Sequence, residues 1–322
     1  MQTGLPIGLG VGLAGGIASA ILFYSAARGS PLLSTTLFVL TPLPSMIAGL
    51  GWGWLSALAG ALAGAAATAV ATDARLGFGY LLAVGLPIVL VAYLAYLSRP
   101  WPGDPNRREW YPAGRLVAAL SLIGAALPVA AAPALEGGYE SLRAPMSAML
   151  LQMSERTAAE FGGRQMSAEQ AGAIADILIS VLPAALAAYW LAIMSINVYL
   201  GARIARASGR LSRDWPDLPR LELPLGVFPL LALAVVATFT SGLLYVAGAS
   251  LCGALFVAFM LVGLSVVHSI ARNRGRGLIW ATYGLLAVGG PYIAAALSVL
   301  GFIEPFINLR RRFGTPPPPS LT

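Results

Sequence analysis

The chain contains no lysine, a single cysteine (Cys252) and a single histidine (His268). Each scarcity removes a class of chemistry. Without lysine there is no Walker A loop, whose turn uses an ammonium to hold phosphate. One cysteine permits no disulfide within the chain and no CxxC pair, and with one histidine it cannot build a multi-Cys/His zinc site. A GxSxG nucleophile elbow is absent as well. Charge is also scarce, at 10% of residues, and it is crowded into short segments. The runs 5–27, 29–72, 76–98, 116–135, 177–202, 223–269 and 277–303 carry none. Each is about 20 residues or longer, the length that crosses a bilayer as a helix. A soluble chain of 322 residues has no interior large enough for so many.

What is present agrees. Hydrophobic residues make up 58% of the chain and the mean hydropathy is +0.78, outside the soluble range. The apolar runs are continuous rather than short and alternating, which selects helices over a membrane barrel. The expected fold class is all-α: a polytopic transmembrane helical bundle of about nine spans, or eight plus a re-entrant or broken segment. The spans are expected at 5–27, 31–50, 53–71, 77–98, 115–134, 173–200, 224–247, 250–271 and 278–301. Pro42 and Pro44 interrupt the second, and Gly51-Trp52-Gly53 turns the chain into the third. Small residues at Ser25-Ala26-Ala27 would suit signal cleavage, but no basic residue precedes the apolar run, so an uncleaved first span is expected.

All twenty basic residues are arginine, and their placement sets the orientation. Loop 99–115 carries Arg99, Arg107, Arg108 and Arg115; loop 201–222 carries Arg203, Arg206, Arg210, Arg213 and Arg220; Arg272, Arg274 and Arg276 form a third group. These alternate correctly if all are cytoplasmic and the N-terminus is inside. The segment 136–176 then faces the other side, and it is acidic: Glu136, Glu140, Glu155, Glu160, Glu169 and Asp176 against three arginines. Nine spans would leave Arg310, Arg311 and Arg312 outside, whereas a break at Gly289-Gly290-Pro291 would return them to the cytoplasm. Both readings remain open. The net charge of +7 belongs to this topology and not to nucleic-acid binding.

Within 136–176, Met146, Met149, Leu150, Met153 and Phe161 recur at near-helical spacing. They predict an amphipathic helix, lying on the bilayer or acting as a lid over a substrate opening. Ser167 and Gln170 have the spacing of a capping box. Gly8, Gly12, Gly16 and Ala20 share one face of the first span, and Gly53, Ala57, Gly60, Ala61 and Gly64 do the same in the third. Such faces let helices approach closely in a bilayer. Gly10, Gly12 and Gly15 also spell GxGxxG, but no strand precedes them, so the dinucleotide reading lacks its context. Trp52, Trp54, Trp101, Trp110 and Trp215 sit near span ends or in loops, as interfacial anchors do.

Several segments together resemble the YybS-like family of bacterial integral membrane proteins (a domain of unknown function, DUF2232). They are Leu40-Thr-Pro-Leu-Pro44 with Gly49-Leu-Gly-Trp-Gly53, the Pro183-to-Arg206 helix, Asp217-Leu-Pro219, Gly263-Leu-Ser-Val-Val-His268, and the stretch from Leu300 to Arg310. The resemblance spans nearly the whole chain, with Glu304 where similar proteins more often carry Asp. The first six spans also resemble the substrate-binding S components of energy-coupling-factor vitamin transporters, through the early Pro-containing helix and the Gly-rich turn. That likeness implies an S-component-like bundle over 1–200 with an extracytoplasmic segment at 136–176. A cytoplasmic loop at 201–222, three further spans over 223–312 and a disordered Pro-rich tail at 313–322 complete the expected layout.

Ionisable and strongly polar groups at membrane depth are costly, so each marks a candidate site. Asn197, near Ser195 and Tyr199, fits a helix–helix hydrogen bond or a ligand contact. His268 fits an interfacial ring or a proton-linked switch. Glu304 and Arg310 fit an interface ion pair or a partner contact. Asp176 fits a solvated outer turn of the sixth span. No nucleophile–base pair, metal cluster or phosphate loop emerges, so no enzyme, no cofactor and no metal are expected. Two functions remain: a small-molecule-binding component of a transport system, and a scaffold recruiting membrane or cytoplasmic protein partners. The expected setting is the bacterial cytoplasmic (inner) membrane, with the lipid bilayer as the constant partner. A ligand pocket is expected among the first six spans, open toward 136–176.

Overall fold

The computed structural model describes residues 4–26, 30–162, 164–213 and 218–313. Ala27, Trp215, Asp217 and the Pro-rich tail after Phe313 lie outside the described residues. The chain is an all-α polytopic membrane protein. Among the described residues, eight segments are long and apolar enough to cross a bilayer: Leu5–Ala26, Leu32–Trp52, Trp54–Ala71, Ala74–Tyr96, Ala113–Ala134, Ala168–Ala207, Gly242–Arg272 and Gly277–Ile307.

Their helices follow local chemistry. Helix α1 (Gly4–Ala26) is followed by α2 (Pro31–Leu40) and α3 (Leu43–Trp52), parted by a turn at Thr41-Pro42 where proline removes a backbone donor. Gly53, at φ 96°, turns the chain into α4 (Trp54–Ala71), a conformation that favours glycine. Asp73 caps α5 (Ala74–Tyr80) by accepting from the Leu76 amide at 2.9 Å. One π turn at Leu81–Gly85 joins it to α6 (Leu86–Tyr96), just before Pro87, which has no N–H to give. The loop that follows contains an antiparallel hairpin, β1 (Ser98–Trp101) with β2 (Asp104–Trp110), which the sequence reading did not anticipate. Arg99 stands opposite Glu109 in its register, and the two pair at 2.6 Å.

Next come α7 (Ala113–Ala131), α8 (Arg143–Phe161) and α9 (Ala168–Ala207). The predicted capping box at the head of α9 forms: Gln170 N–H donates to Ser167 Oγ at 3.2 Å, and Ser167 N–H to Gln170 Oε1 at 3.0 Å. With 40 residues α9 is about 60 Å long, so it overshoots a bilayer core of roughly 30 Å. The expected seventh and eighth spans have different limits. Helix α10 (Val227–Ala237) stops early and α11 (Gly242–Arg274) begins well before 250. The reason is local. Thr238 and Thr240 bond their hydroxyls to the carbonyls of Val235 and Ala237 at 2.6 and 2.7 Å, closing α10, and Gly242 restarts the chain at φ 62°. Helix α12 (Gly277–Ile307) is broken at Gly290, whose φ 45° and ψ −121° are not helical, and a short α13 (Leu309–Phe313) follows.

The chain divides into two compact units. One comprises Met1–Leu120, Leu191–Pro224 and Val257–Thr322. Here the small faces of α1 and α4 meet. A Cβ on Gly12 would lie 2.1 Å from the Ser56 carbonyl oxygen, and one on Gly16 would lie 2.1 Å from that of Gly60. Ser19 and Ser45 join α1 to α3 by a buried hydroxyl pair at 3.0 Å. Gly263 of α11 lies against the Leu297 carbonyl of α12, and Gly301 against that of Phe259. The other unit comprises Ser121–Trp190 and Leu225–Phe256. In it Gly253 abuts the backbone of Ala184, Gly248 abuts Ala234 and Ala237, and the Tyr245 hydroxyl donates to the Ser180 carbonyl at 2.5 Å. The predicted amphipathic helix is α8, and its Met149, Met153 and Phe161 are exposed.

Candidate functional site

In the first unit, α7, α9, α11 and the first half of α12 line a partly open cavity of about 510 Å³. Its walls are mainly aliphatic, from Leu116 and Leu120 on α7 to Val257 and Leu261 on α11 and Leu286 on α12. The helices hold this space because each presents a charge-free stretch, and because Gly263 and Gly301 bring α11 and α12 into backbone contact beside it. Polar groups are few: Ser195 and Tyr199 of α9, Ser265 and His268 of α11, Tyr283 of α12, and Arg213 from the loop. A volume of this size with sparse polar groups is typical of small-molecule pockets. It is not confined to the first six spans as expected, since α11 and α12 supply a large share of its wall.

Arg213 is the charged member. Its guanidinium donates to the carbonyls of Ala95 and Tyr111, each at 3.2 Å, and lies 5.8 Å from the centre of the Trp110 ring. Burial pushes the guanidinium pKa down from its usual value. The sequence reading counted Arg213 only as one loop cation among several. Its signal was faint, because burial depends on carbonyls more than a hundred residues away in the chain.

The five residues singled out from sequence fall in different places. His268 lines the cavity, with Nδ1 2.8 Å from the Leu264 carbonyl and the ring edge-to-face with Tyr283. Glu304 and Arg310 come together. The buried Glu304 carboxylate accepts the backbone N–H groups of Leu309 and Arg310 at 3.0 and 3.1 Å, at the start of α13, and stands 3.6 Å from Arg310 Nε. Arg310 also donates to the carbonyls of Pro219 and Leu221 and lies 3.6 Å from Glu222. Burial pushes its pKa down, while the carboxylates of Glu304 and Glu222 oppose that shift. Leu221 belongs to the cavity wall, so this cluster adjoins the cavity from outside.

Asn197 is fully buried, and its Nδ2 donates to the carbonyls of Val39 at 2.7 Å and Ile193 at 2.8 Å. It joins α9 to the end of α2, while its neighbours Ile196 and Val198 line the cavity. Asp176 lies in the other unit, exposed and paired bidentately with Arg143. Ser195 and Tyr199, noted in the sequence only as neighbours of Asn197, are the polar α9 residues that line the cavity. Gly10, Gly12 and Gly15 lie inside α1, as helix and not as a phosphate loop.

A family model described as "Predicted membrane protein (DUF2232)" matches residues 17–304. No curated protein and no solved structure matches the chain.

Proposed function

The chain belongs to the DUF2232 family of predicted membrane proteins, and from that premise we propose that it is a small-molecule-binding component of a membrane transport system. The observation that carries this reading is the cavity of about 510 Å³ with its apolar walls and few polar groups. The fainter resemblance of the first six spans to energy-coupling-factor S components is an analogy that leans the same way. The chain is read as a binder and not a catalyst, because a single Cys, a single His and no Lys leave few groups for covalent or acid–base work. The setting is the bacterial cytoplasmic membrane with the N-terminus inside, on the strength of the arginine distribution. Purification in mild detergent, with mass spectrometry of bound metabolites and proteins together, tests the reading. The native chain should carry a small molecule that Leu261→Trp, which fills the cavity, loses at unchanged thermal stability. Equal small-molecule content in both would overturn it.

A scaffold is the second reading. Arg203, Arg206 and Arg210 are exposed along one end of α9 and the loop beyond it, a surface suited to an acidic protein partner. Co-purification of such a partner without any small molecule would favour it.

A further inference from the structure

The polar atoms of the cavity wall point to a ligand class, an inference that rests on the binding reading above. His268 Nδ1 faces the Leu264 carbonyl at 2.8 Å. A carbonyl oxygen can only accept, so Nδ1 carries the hydrogen, and in that tautomer Nε2 is a lone-pair acceptor. The Tyr283 ring, 5.8 Å away between centroids at 75°, fixes the imidazole in the wall. On α9, the Ser195 hydroxyl is buried with no hydrogen-bond partner, although it lines the same cavity. A buried hydroxyl left so is costly, and a bound polar group would offset that cost. Arg213, by contrast, is committed to the fold through Ala95, Tyr111 and Trp110. The described residues that line the cavity include no carboxylate to hold a cation.

We propose that the cavity takes an uncharged, largely apolar molecule that carries a hydroxyl group. Its O–H hydrogen suits His268 Nε2, and its oxygen lone pair suits the Ser195 hydroxyl. A carboxylate lacks the hydrogen and an ammonium lacks the lone pair, so each meets the wall only in part. The apolar remainder lies along Leu116, Leu120, Val257, Leu261 and Leu286, where burial rather than hydrogen bonding supplies the affinity.

Equilibrium dialysis of the full chain in nanodiscs against empty nanodiscs, with labelled 1-dodecanol, dodecanoate and dodecylammonium, separates the classes. Dodecanol should be enriched by the protein, and His268→Phe or Ser195→Ala should each weaken its retention about fivefold, the effect of one hydrogen bond. His268→Gln, which keeps a carbonyl acceptor, should retain most of the binding, with thermal stability alike in all three variants. Equal or stronger enrichment of dodecanoate or dodecylammonium overturns the hydroxyl class and leaves the binding reading standing. Dodecanol retention untouched by the variants also overturns it. If none of the three probes is enriched, the class fails; the binding reading fails with it only if the purified protein carries no small molecule.

Discussion

Arg310 donates from Nη2 to the carbonyl oxygen of Leu221 at 2.7 Å, across 89 residues of chain. The Ser265 hydroxyl of α11 reaches the same oxygen at 3.5 Å. One carbonyl of the Arg-rich loop thus meets both α11 and the start of α13. This places Arg310 beside the end of loop 201–222. The sequence alone left the side of the C-terminal arginines open, because a count of nine spans sends them outward.

That arrangement makes a labelling prediction. In a variant with Cys252 replaced, single cysteines at Glu160, Ser208 and Phe313 report the two faces. An impermeant thiol reagent applied to intact cells should modify Glu160→Cys and spare Ser208→Cys and Phe313→Cys until the cells are opened. Modification of Phe313→Cys with Ser208→Cys protected would separate the tail from the loop and contradict the Arg310–Leu221 contact.

The Glu304–Arg310 pair is nearly shut off from solvent, and Glu304 also caps α13 through two backbone N–H groups. Removing one partner takes a counter-charge from the other buried group, at a cost of up to about 3 kcal/mol. Glu304→Gln and Arg310→Met should therefore each lower thermal stability in detergent, and the double variant should cost clearly less than the sum. Strict additivity would show that the two side chains do not act as a pair.

Asn197 tests the difference between a helix bond and a ligand contact. Its amide donates to Val39 at the end of α2, just before the Thr41-Pro42 turn, and its side chain is not part of the cavity wall. Asn197→Leu should lower stability by about 1 kcal/mol, in the range measured for interhelical hydrogen bonds in membranes. Retention of a bound molecule should hold. Lost retention at unchanged stability would move Asn197 into the binding site.

Most of the span pattern was legible because charge is nearly excluded from membrane depth, and the runs between charges are visible by inspection. The small-residue faces of α1 and α4 were legible for a related reason: close approach requires side chains the size of Gly, Ala or Ser. The α10–α11 boundary was not. Thr238-Phe-Thr-Ser-Gly242 is apolar enough to pass as helix, yet its side-chain-to-carbonyl bonds, with backbone bonds from Phe239 and Thr240, close the turn. Gly248, between the expected spans 224–247 and 250–271, lies inside α11, where it lets Ala234 and Ala237 approach. The hairpin 98–110 read as loop because Pro100, Gly103 and Pro105 dominate it, while its pairing is a backbone register that sets Ser98 opposite Trp110 and Arg99 opposite Glu109. The cavity was hidden for another reason. Arg213, His268 and Tyr283 carry no local signature of a site, and only tertiary packing brings them together.

The GxGxxG of α1 offers a sharp test of packing against motif. Its first two glycines meet opposite surroundings. A Cβ at Gly10 would find nothing within 4 Å, whereas one at Gly12 would sit 2.1 Å from the Ser56 carbonyl oxygen. Backbone on a facing helix cannot swing aside as a flexible side chain can, so Gly12→Ala must push α1 and α4 apart. Overpacking of this kind costs about 1–3 kcal/mol. Gly10→Ala adds a methyl to open space and replaces glycine inside a helix, which should leave stability unchanged or raise it by up to about 1 kcal/mol. Melting curves in one detergent should thus fall for Gly12→Ala and hold or rise for Gly10→Ala. A phosphate-binding turn would need both glycines for backbone approach to the ligand, so equal losses would reopen the nucleotide reading and count against the α1–α4 contact.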